Sequence, residues 1–217
     1  MAKKDSSAVS NNLSVSKQQL RDLITDTAMT MFKQKGIRSV TMDELSSHLA
    51  ISKRTVYELF EDKESLLLYG MARDKDRESA EFADMDKSGL SILDLALRFY
   101  KKVIDEHKSI CSQFYLDLEK YPRALALIKE FHRRDRNNAH TFYRRGVEEG
   151  MFRSDINYEV LDVILPDTAK PLPGANVLLR YGLDQVFKTL MMILLRGIAT
   201  PEGQKKIEEI LRTHPTL

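Results

Sequence analysis

Residues 41–60, TMDELSSHLAISKRTVYELF, decide the fold because they predict two short helices joined by a tight turn. Thr41 and Glu44 have the T-x-x-E spacing of a capping box, which predicts that a helix begins at Thr41. The apolar residues that follow recur at steps of three and four, so they share one face of that helix: Met42, Leu45 and Leu49.

A second helix is predicted a few residues further on. Ser52 is well placed as its N-cap, and its apolar face is supplied by Val56, Leu59 and Phe60. Two short helices across a turn of this length form a helix-turn-helix, whose second helix can enter the major groove of DNA.

The outward side of the second helix carries residue types that suit a duplex. Arg54 could bind guanine or a phosphate, Thr55 a thymine methyl or a phosphate, and the Tyr57 hydroxyl a phosphate. Lys53 lies on the same side, whereas Glu58 would be repelled by the DNA backbone unless it accepts a hydrogen bond from cytosine.

The starts of both helices, at Thr41 and Ser52, add backbone amide donors for phosphates. The alternative is an ordinary solvated pair of helices, because a helix-turn-helix pattern alone is easily mimicked.

Composition describes a helix-rich globular protein of one or two domains. The chain has 217 residues, of which 42% are hydrophobic and 30% charged, with only 9 Gly and 6 Pro. The formal net charge of +2 neither favours nor disfavours nucleic acid as a partner. Any basic surface must therefore be local.

Several features predict a cytoplasmic protein without a membrane segment. Cys111 is the only cysteine, which excludes an intramolecular disulfide and fits a reducing compartment. No apolar stretch follows the early lysines, so no secretory signal is predicted. The most apolar stretch, 177–195, contains Arg180, Asp184 and Lys188 and predicts a buried helix.

The N-terminal third predicts an arm followed by a compact three-helix domain. Residues 1–16 lack an apolar period and predict a flexible arm, and residues 17–35 predict an amphipathic helix that Gly36 ends. We place the DNA-binding domain at 17–62. Lys63 begins the next helix, where it could reach a flanking phosphate or be an ordinary surface lysine.

Residues 36–67, GIRSVTMDELSSHLAISKRTVYELFEDKESLL, closely resemble the DNA-binding domain of the TetR family of bacterial transcription regulators. The family's characteristic positions are matched by Gly36, Thr41, Ile51, Ser52, Thr55, Tyr57, Phe60, Lys63, Leu66 and Leu67. Two positions depart from the family pattern. Ala50 stands where a turn Gly is frequent, and Arg54 where a Gly or Pro is common. An alanine at a position that needs positive φ has a steric cost, and Arg54 adds a side chain that would alter operator preference.

The resemblance implies an all-α protein with an N-terminal three-helix helix-turn-helix domain and a larger helical ligand-binding and dimerisation domain, placed at 63–217. It implies a transcriptional regulator, most often a repressor, that binds a palindromic operator on double-stranded DNA as a homodimer and responds to a small-molecule effector. Two alternatives remain: an activator or ligand-independent regulator of the same fold, and a helical interaction protein without DNA binding.

In the C-terminal part, the sequence predicts helices, a pocket and an interface. The candidate pocket residues are aromatic, and their helical spacing is equally what a core requires: Phe99, Phe114, Tyr115, Phe131 and Phe142. Residues 176–197 are apolar on more than one face, which predicts that a partner subunit covers the surplus.

Enzymatic and metal functions have little support. No Ser-His-Asp order, HExxH, Walker loop or GxGxxG appears, so neither an enzyme nor a cofactor is predicted. His107 and Cys111 are four apart, but two ligands do not make a metal site. The basic segment 129–145 predicts a salt-bridged, solvated face, with a second DNA contact or an anionic-ligand pocket as functional alternatives.

Overall fold

A computed structural model describes residues 6–168, 177 and 180–213 of the chain, and the all-α prediction is confirmed. Within the described residues the only β-type pairing is an isolated bridge between Phe152 and Ala199. The helices are α1 Ser6–Lys35, α2 Met42–His48, α3 Lys53–Leu59, α4 Lys63–Asp86, α5 Ile92–His107, α6 Ser112–Leu118, α7 Pro122–Glu148, α8 Tyr158–Thr168, α9 Leu183–Ile198 and α10 Pro201–Thr213.

The first helix begins earlier than the sequence predicted. Residues 6–16, which fall in the predicted arm 1–16, form the first turns of α1, and residues 1–5 lie outside the described residues. Once a helix has nucleated, each further residue adds a backbone hydrogen bond, so a strong amphipathic helix can extend into a weakly helical sequence. At about 1.5 Å per residue, the 30 residues of α1 span about 45 Å.

The predicted N-caps of α2 and α3 are confirmed, whereas the Glu44 carboxylate of the predicted capping box accepts from the Lys35 ammonium at 2.7 Å. The Thr41 hydroxyl accepts a hydrogen bond from the Glu44 amide at 3.0 Å, and the Ser52 hydroxyl accepts one from the Thr55 amide at 3.1 Å. Gly36 ends α1 with φ +87°, and Ala50 in the turn has φ +52°. The turn therefore needs a left-handed residue, and the chain places a residue with a Cβ there at a steric cost.

The core of the helix-turn-helix continues into α6. Its buried side chains come from α1 to α4 and include Phe32, Leu45, Val56 and Leu66. Phe114, Tyr115 and Leu118 of α6 belong to the same cluster. Packing therefore joins the helix-turn-helix unit directly to the C-terminal helices.

A second buried cluster holds the remaining helices together. It contains residues of α5, of the C-terminal part of α7, of α9 and of α10. Among them are Leu93, Leu97, Leu195 and Ile207. The helix α10 begins at Pro201, and Thr200 caps it, because the Thr200 hydroxyl accepts a hydrogen bond from the Gly203 amide at 3.0 Å.

Two prolines lie at different positions in helices. Pro122 is the first residue of α7, where no backbone N–H is needed, and α7 is one helix. The proline-rich sequence 166–175 favours a loop, but its first residues are helical, because α8 extends through Pro166 to Thr168. Residues 169–175 lie outside the described residues.

The basic segment of α7 forms the predicted salt-bridged face. Four arginines of the segment lie within 4 Å of carboxylates: Arg133, Arg134, Arg144 and Arg145. Arg145 also bonds the Leu90 carbonyl and Glu149, so it ties α7 to the start of α5. These pairs favour a structural role for the segment.

Candidate DNA-binding surface and effector cavity

The α2–α3 pair presents a polar surface to solvent, which we call the reading surface. It comprises the residues predicted to contact DNA, apart from Lys63: Thr41, Ser52, Lys53, Arg54, Thr55 and Tyr57. Val56 and Phe60 are buried beneath α3, so the opposite side of that helix faces outward. The Arg54 side chain is 87% exposed and Tyr57 is 51% exposed. This side of α3 therefore offers long donor side chains to a duplex.

Each cation of this region has a carboxylate beside it. Lys53 lies 2.5 Å from Asp43 of α2, and the Arg54 Nε donates to Glu58 at 2.7 Å. The Glu58 carboxylate raises the pKa of Arg54 through this hydrogen bond. A surface with balanced charge attracts DNA weakly at long range, so binding depends on specific contacts more than on net charge.

Lys63 does not join the reading surface. Its ammonium donates to the carbonyls of Ile37 at 2.9 Å and Val40 at 2.8 Å, with the Arg38 carbonyl at 3.4 Å. Burial lowers the pKa of Lys63. An ammonium has three hydrogens, and three carbonyls surround this one, so the contacts do not support the predicted phosphate role. Lys63 instead holds the loop between α1 and α2.

The sequence around this surface matches a known family. Residues 24–69 match the family described as bacterial regulatory proteins, tetR family, and this range runs from the second half of α1 into α4. The chain is a TetR-family protein. Membership of this family explains why the buried residues and the N-caps of the helix-turn-helix match the family pattern together.

Relatives and solved structures extend the likeness over most of the chain. The HTH-type transcriptional repressor KstR2 of Rhodococcus jostii is 26% identical over 195 residues, which cover 84% of this chain and 93% of the relative. The ketosteroid transcriptional regulator KstR2 of Mycobacterium tuberculosis has a TM-score of 0.52 at 21% identity, over 83% of this chain and 95% of that one. A TetR-family regulator from Marinobacter aquaeolei has a TM-score of 0.68 at 20% identity, over 89% and 97%. The chain is a TetR-family transcriptional regulator with the family's fold.

In this TetR-family regulator, polar contacts fasten the end of α1 to α6. The Asp117 carboxylate, 1% exposed, accepts the Arg38 amide at 2.8 Å and the Gln113 side-chain amide at 2.8 Å. The Cys111 amide donates to the Lys33 carbonyl at 2.8 Å. A Cβ on Gly36 would lie 2.7 Å from the Gln113 Cγ, so the loop and α6 approach closely. We call these contacts the α1–α6 junction.

A cavity of about 580 Å³ lies on the other side of α6. It is lined by residues of five helices, α1, α4, α5, α6 and α7. Of the predicted pocket residues it includes Phe114, Tyr115 and Phe131. Phe99 and Phe142 line a separate cavity of about 230 Å³ between α4, α5 and α7. The structure thus divides the predicted aromatic set between two cavities.

The larger cavity combines buried apolar walls with paired charges. The residues Phe114, Leu118 and Phe131 are buried, and the charged lining residues are partly exposed. Lys33 of α1, which no sequence motif marks, lines the cavity and lies 2.6 Å from Asp74 of α4. A lysine on a helix gives no sequence signal for such a pair, because the partner is 41 residues away.

The helices α8 and α9, together with Val177 and Tyr181 before α9, present exposed apolar side chains. The described residues with this property are Val160, Val163, Ile164, Val177, Tyr181, Leu190 and Ile193. Ile193 is 66% exposed, so the predicted surplus of residues 176–197 lies at the surface of the single chain and not wholly in its core. Exposed apolar side chains in such number are typical of a protein interface.

Two further features concern other function classes. Across the ranges that the structure describes, no group of three metal-binding side chains comes together, and none of the helices found there is long and apolar enough to cross a membrane. The His107 Nδ1 lies 2.7 Å from the Val103 carbonyl, to which it donates within α5.

Proposed function

We propose that this TetR-family regulator is a homodimeric repressor that binds a palindromic operator and is released by a small-molecule effector. The observation that carries the proposal is the outward, donor-rich side of α3 on a chain that also has an exposed apolar face. The relative from Rhodococcus jostii, itself named a transcriptional repressor, supports the choice of repressor over activator.

In the proposed complex, α3 lies in the major groove. Lys53, Arg54 and Thr55 face base edges and nearby phosphates, and Tyr57 donates to a phosphate. Thr41 and Ser52 lie at the helix starts that border the groove. Lys63 is left out of this set because its ammonium is bonded to carbonyls of the α1–α2 loop.

The proposed dimer uses the exposed apolar side chains of α8 and α9. A two-fold axis there would make the same patch meet itself, and each protomer would supply one α3. Two half-sites about one helical turn or slightly more apart would then be read together. We assign DNA binding to residues 17–62, and effector binding and dimerisation to residues 63–217.

The proposed effector site is the cavity of about 580 Å³. Its volume is within the range of small-molecule sites, and its walls combine apolar residues with charged and polar ones in similar number. Because α6 contributes to the cavity and also holds the α1–α2 loop through Asp117, a ligand that favours another position of α6 would shift the helix-turn-helix. The shift cannot exceed the ligand's difference in affinity for the two states.

DNA binding is tested by selecting fragments from random-sequence DNA with the full chain and measuring their affinity over a salt series. We expect the selected sites to share a palindrome and the affinity to fall steeply with salt. Absence of salt-sensitive binding to every selected pool would support the helical interaction protein instead. Mapping the site relative to its promoter separates repression, in which the site blocks polymerase, from activation.

The dimer is tested by Ile193→Glu, which places a carboxylate on the apolar face. Burying one such side chain is worth about 2 kcal/mol, and symmetry removes two per dimer, so we expect the dimer Kd to rise at least about 100-fold. Lys205→Glu, on the exposed side of α10, is the control and should leave the dimer intact. Equal sedimentation of both variants and the unaltered protein would place the interface elsewhere.

A further inference from the structure

The Arg54–Glu58 pair of α3 is arranged against the usual preferences of a helix. Arg54 lies in the first turn, where the helix dipole disfavours a cation, and Glu58 lies near the end, where it disfavours an anion. Ion pairs at this spacing are also weaker when the cation precedes the anion. Helix stability therefore gives little reason for these two residues in this order.

The geometry of the pair leaves the outer donors of the guanidinium available. The Arg54 Nε donates to the Glu58 carboxylate at 2.7 Å, which engages the inner edge of the guanidinium. The two terminal nitrogens, which form the outer edge, point away from that bond. Two parallel donors on one edge match the O6 and N7 acceptors of guanine.

The Glu58 carboxylate weakens DNA binding electrostatically, and a functional role would offset this loss of affinity. A carboxylate in the major groove is repelled by phosphates, and Glu58 is 57% exposed on the outward side of α3. Held against Arg54, it orients a side chain that would otherwise sample many rotamers. Fixing a flexible side chain before binding removes part of the entropy cost of the contact.

We propose that Glu58 is a positioning residue that holds Arg54 for bidentate recognition of a guanine in each operator half-site. This inference rests on the proposed function, since it requires α3 to lie in the major groove. It chooses between the two contacts open to Arg54, guanine and phosphate, in favour of guanine. It also gives Glu58 a role other than accepting a hydrogen bond from cytosine.

The test uses the full-length protein, its selected operator, and operators in which each half-site base pair is changed in turn. Glu58→Ala is compared with Glu61→Ala, an exposed carboxylate just after α3. Both variants lose one negative charge, so both should bind random-sequence DNA more tightly. Only Glu58→Ala should lower the preference for guanine over adenine, by about fivefold at one position of each half-site.

A second variant separates guanine recognition from a phosphate contact. Arg54→Lys keeps the positive charge but loses the two-donor edge, so we expect the guanine preference at that same position to fall about tenfold with a nearly unchanged salt dependence. A phosphate contact would tolerate lysine and keep the base preference.

The inference is overturned if Glu58→Ala and Glu61→Ala change the affinities for operator and random-sequence DNA by the same factor. It is also overturned if Arg54→Lys leaves every base preference intact. Failure of the unaltered protein to select any DNA would instead reject the proposed function itself.

Discussion

The α1–α6 junction and the reading surface each contain a carboxylate that accepts hydrogen bonds, but the two carboxylates hold different things. Asp117 at the junction is buried and accepts a backbone amide of the α1–α2 loop. Glu58 on the reading surface is exposed and accepts from a side chain. The buried carboxylate therefore fixes the position of a domain, whereas the exposed one fixes the direction of a single guanidinium.

The largest effect is expected at the junction. Asp117→Ala removes the buried carboxylate that accepts hydrogen bonds from the Arg38 backbone amide and the Gln113 side-chain amide, which should lower the free energy of unfolding by about 2 kcal/mol. Urea unfolding at fixed protein concentration measures the change. Asp117→Asn keeps an acceptor oxygen and should cost less than half as much; equal costs for both would show that the charge, and not the hydrogen bond, matters.

A smaller effect is expected from the close approach of the loop to α6. Gly36→Ala adds a Cβ at φ +87° and 2.7 Å from the Gln113 Cγ, so it should cost about 1 kcal/mol for the backbone and more for the contact. Gly89→Ala is the matched control, because its φ is +73° and no atom lies within 4 Å of the added Cβ. If unfolding experiments give the same loss for both variants, the junction is loosely packed.

The smallest effect on stability is expected at the reading surface. Arg54→Ala and Glu58→Ala remove partners of an exposed i,i+4 pair, which should change the free energy of unfolding by less than about 0.5 kcal/mol. The same urea experiment provides the measurement. A loss as large as that of Asp117→Ala would mean that the pair supports the fold, and the contrast between the two regions would disappear.

Local chemistry explains which parts of the fold could be predicted from the sequence. The caps at Thr41 and Ser52 involve partners three residues away, so spacing alone identifies them. The left-handed turn was expected at Ala50 from the family pattern, and its φ of +52° confirms that the position needs it. The helical period of the apolar residues likewise predicted which side of α3 is buried.

Contacts between distant residues explain what could not be predicted. Lys63 bonds carbonyls 23 and 26 residues away, and backbone acceptors have no sequence signature. The aromatic pocket residues were found by helical spacing, which gives the face of a helix but not the neighbouring helix. Phe131 and Phe142 lie eleven residues apart on α7 and line different cavities for this reason.

Because α6 is short, effector preference and operator affinity cannot change independently. Its seven residues include Phe114, Tyr115 and Leu118 on the cavity side and Asp117 on the side of the α1–α2 loop. Two turns of helix about 10 Å across leave no room to reshape one side without moving the other. During evolution of a new effector preference, substitutions at Phe114 or Leu118 would therefore also alter operator affinity in the absence of ligand. We expect adaptation to begin on α4 and α7, whose cavity residues lie farther from the loop.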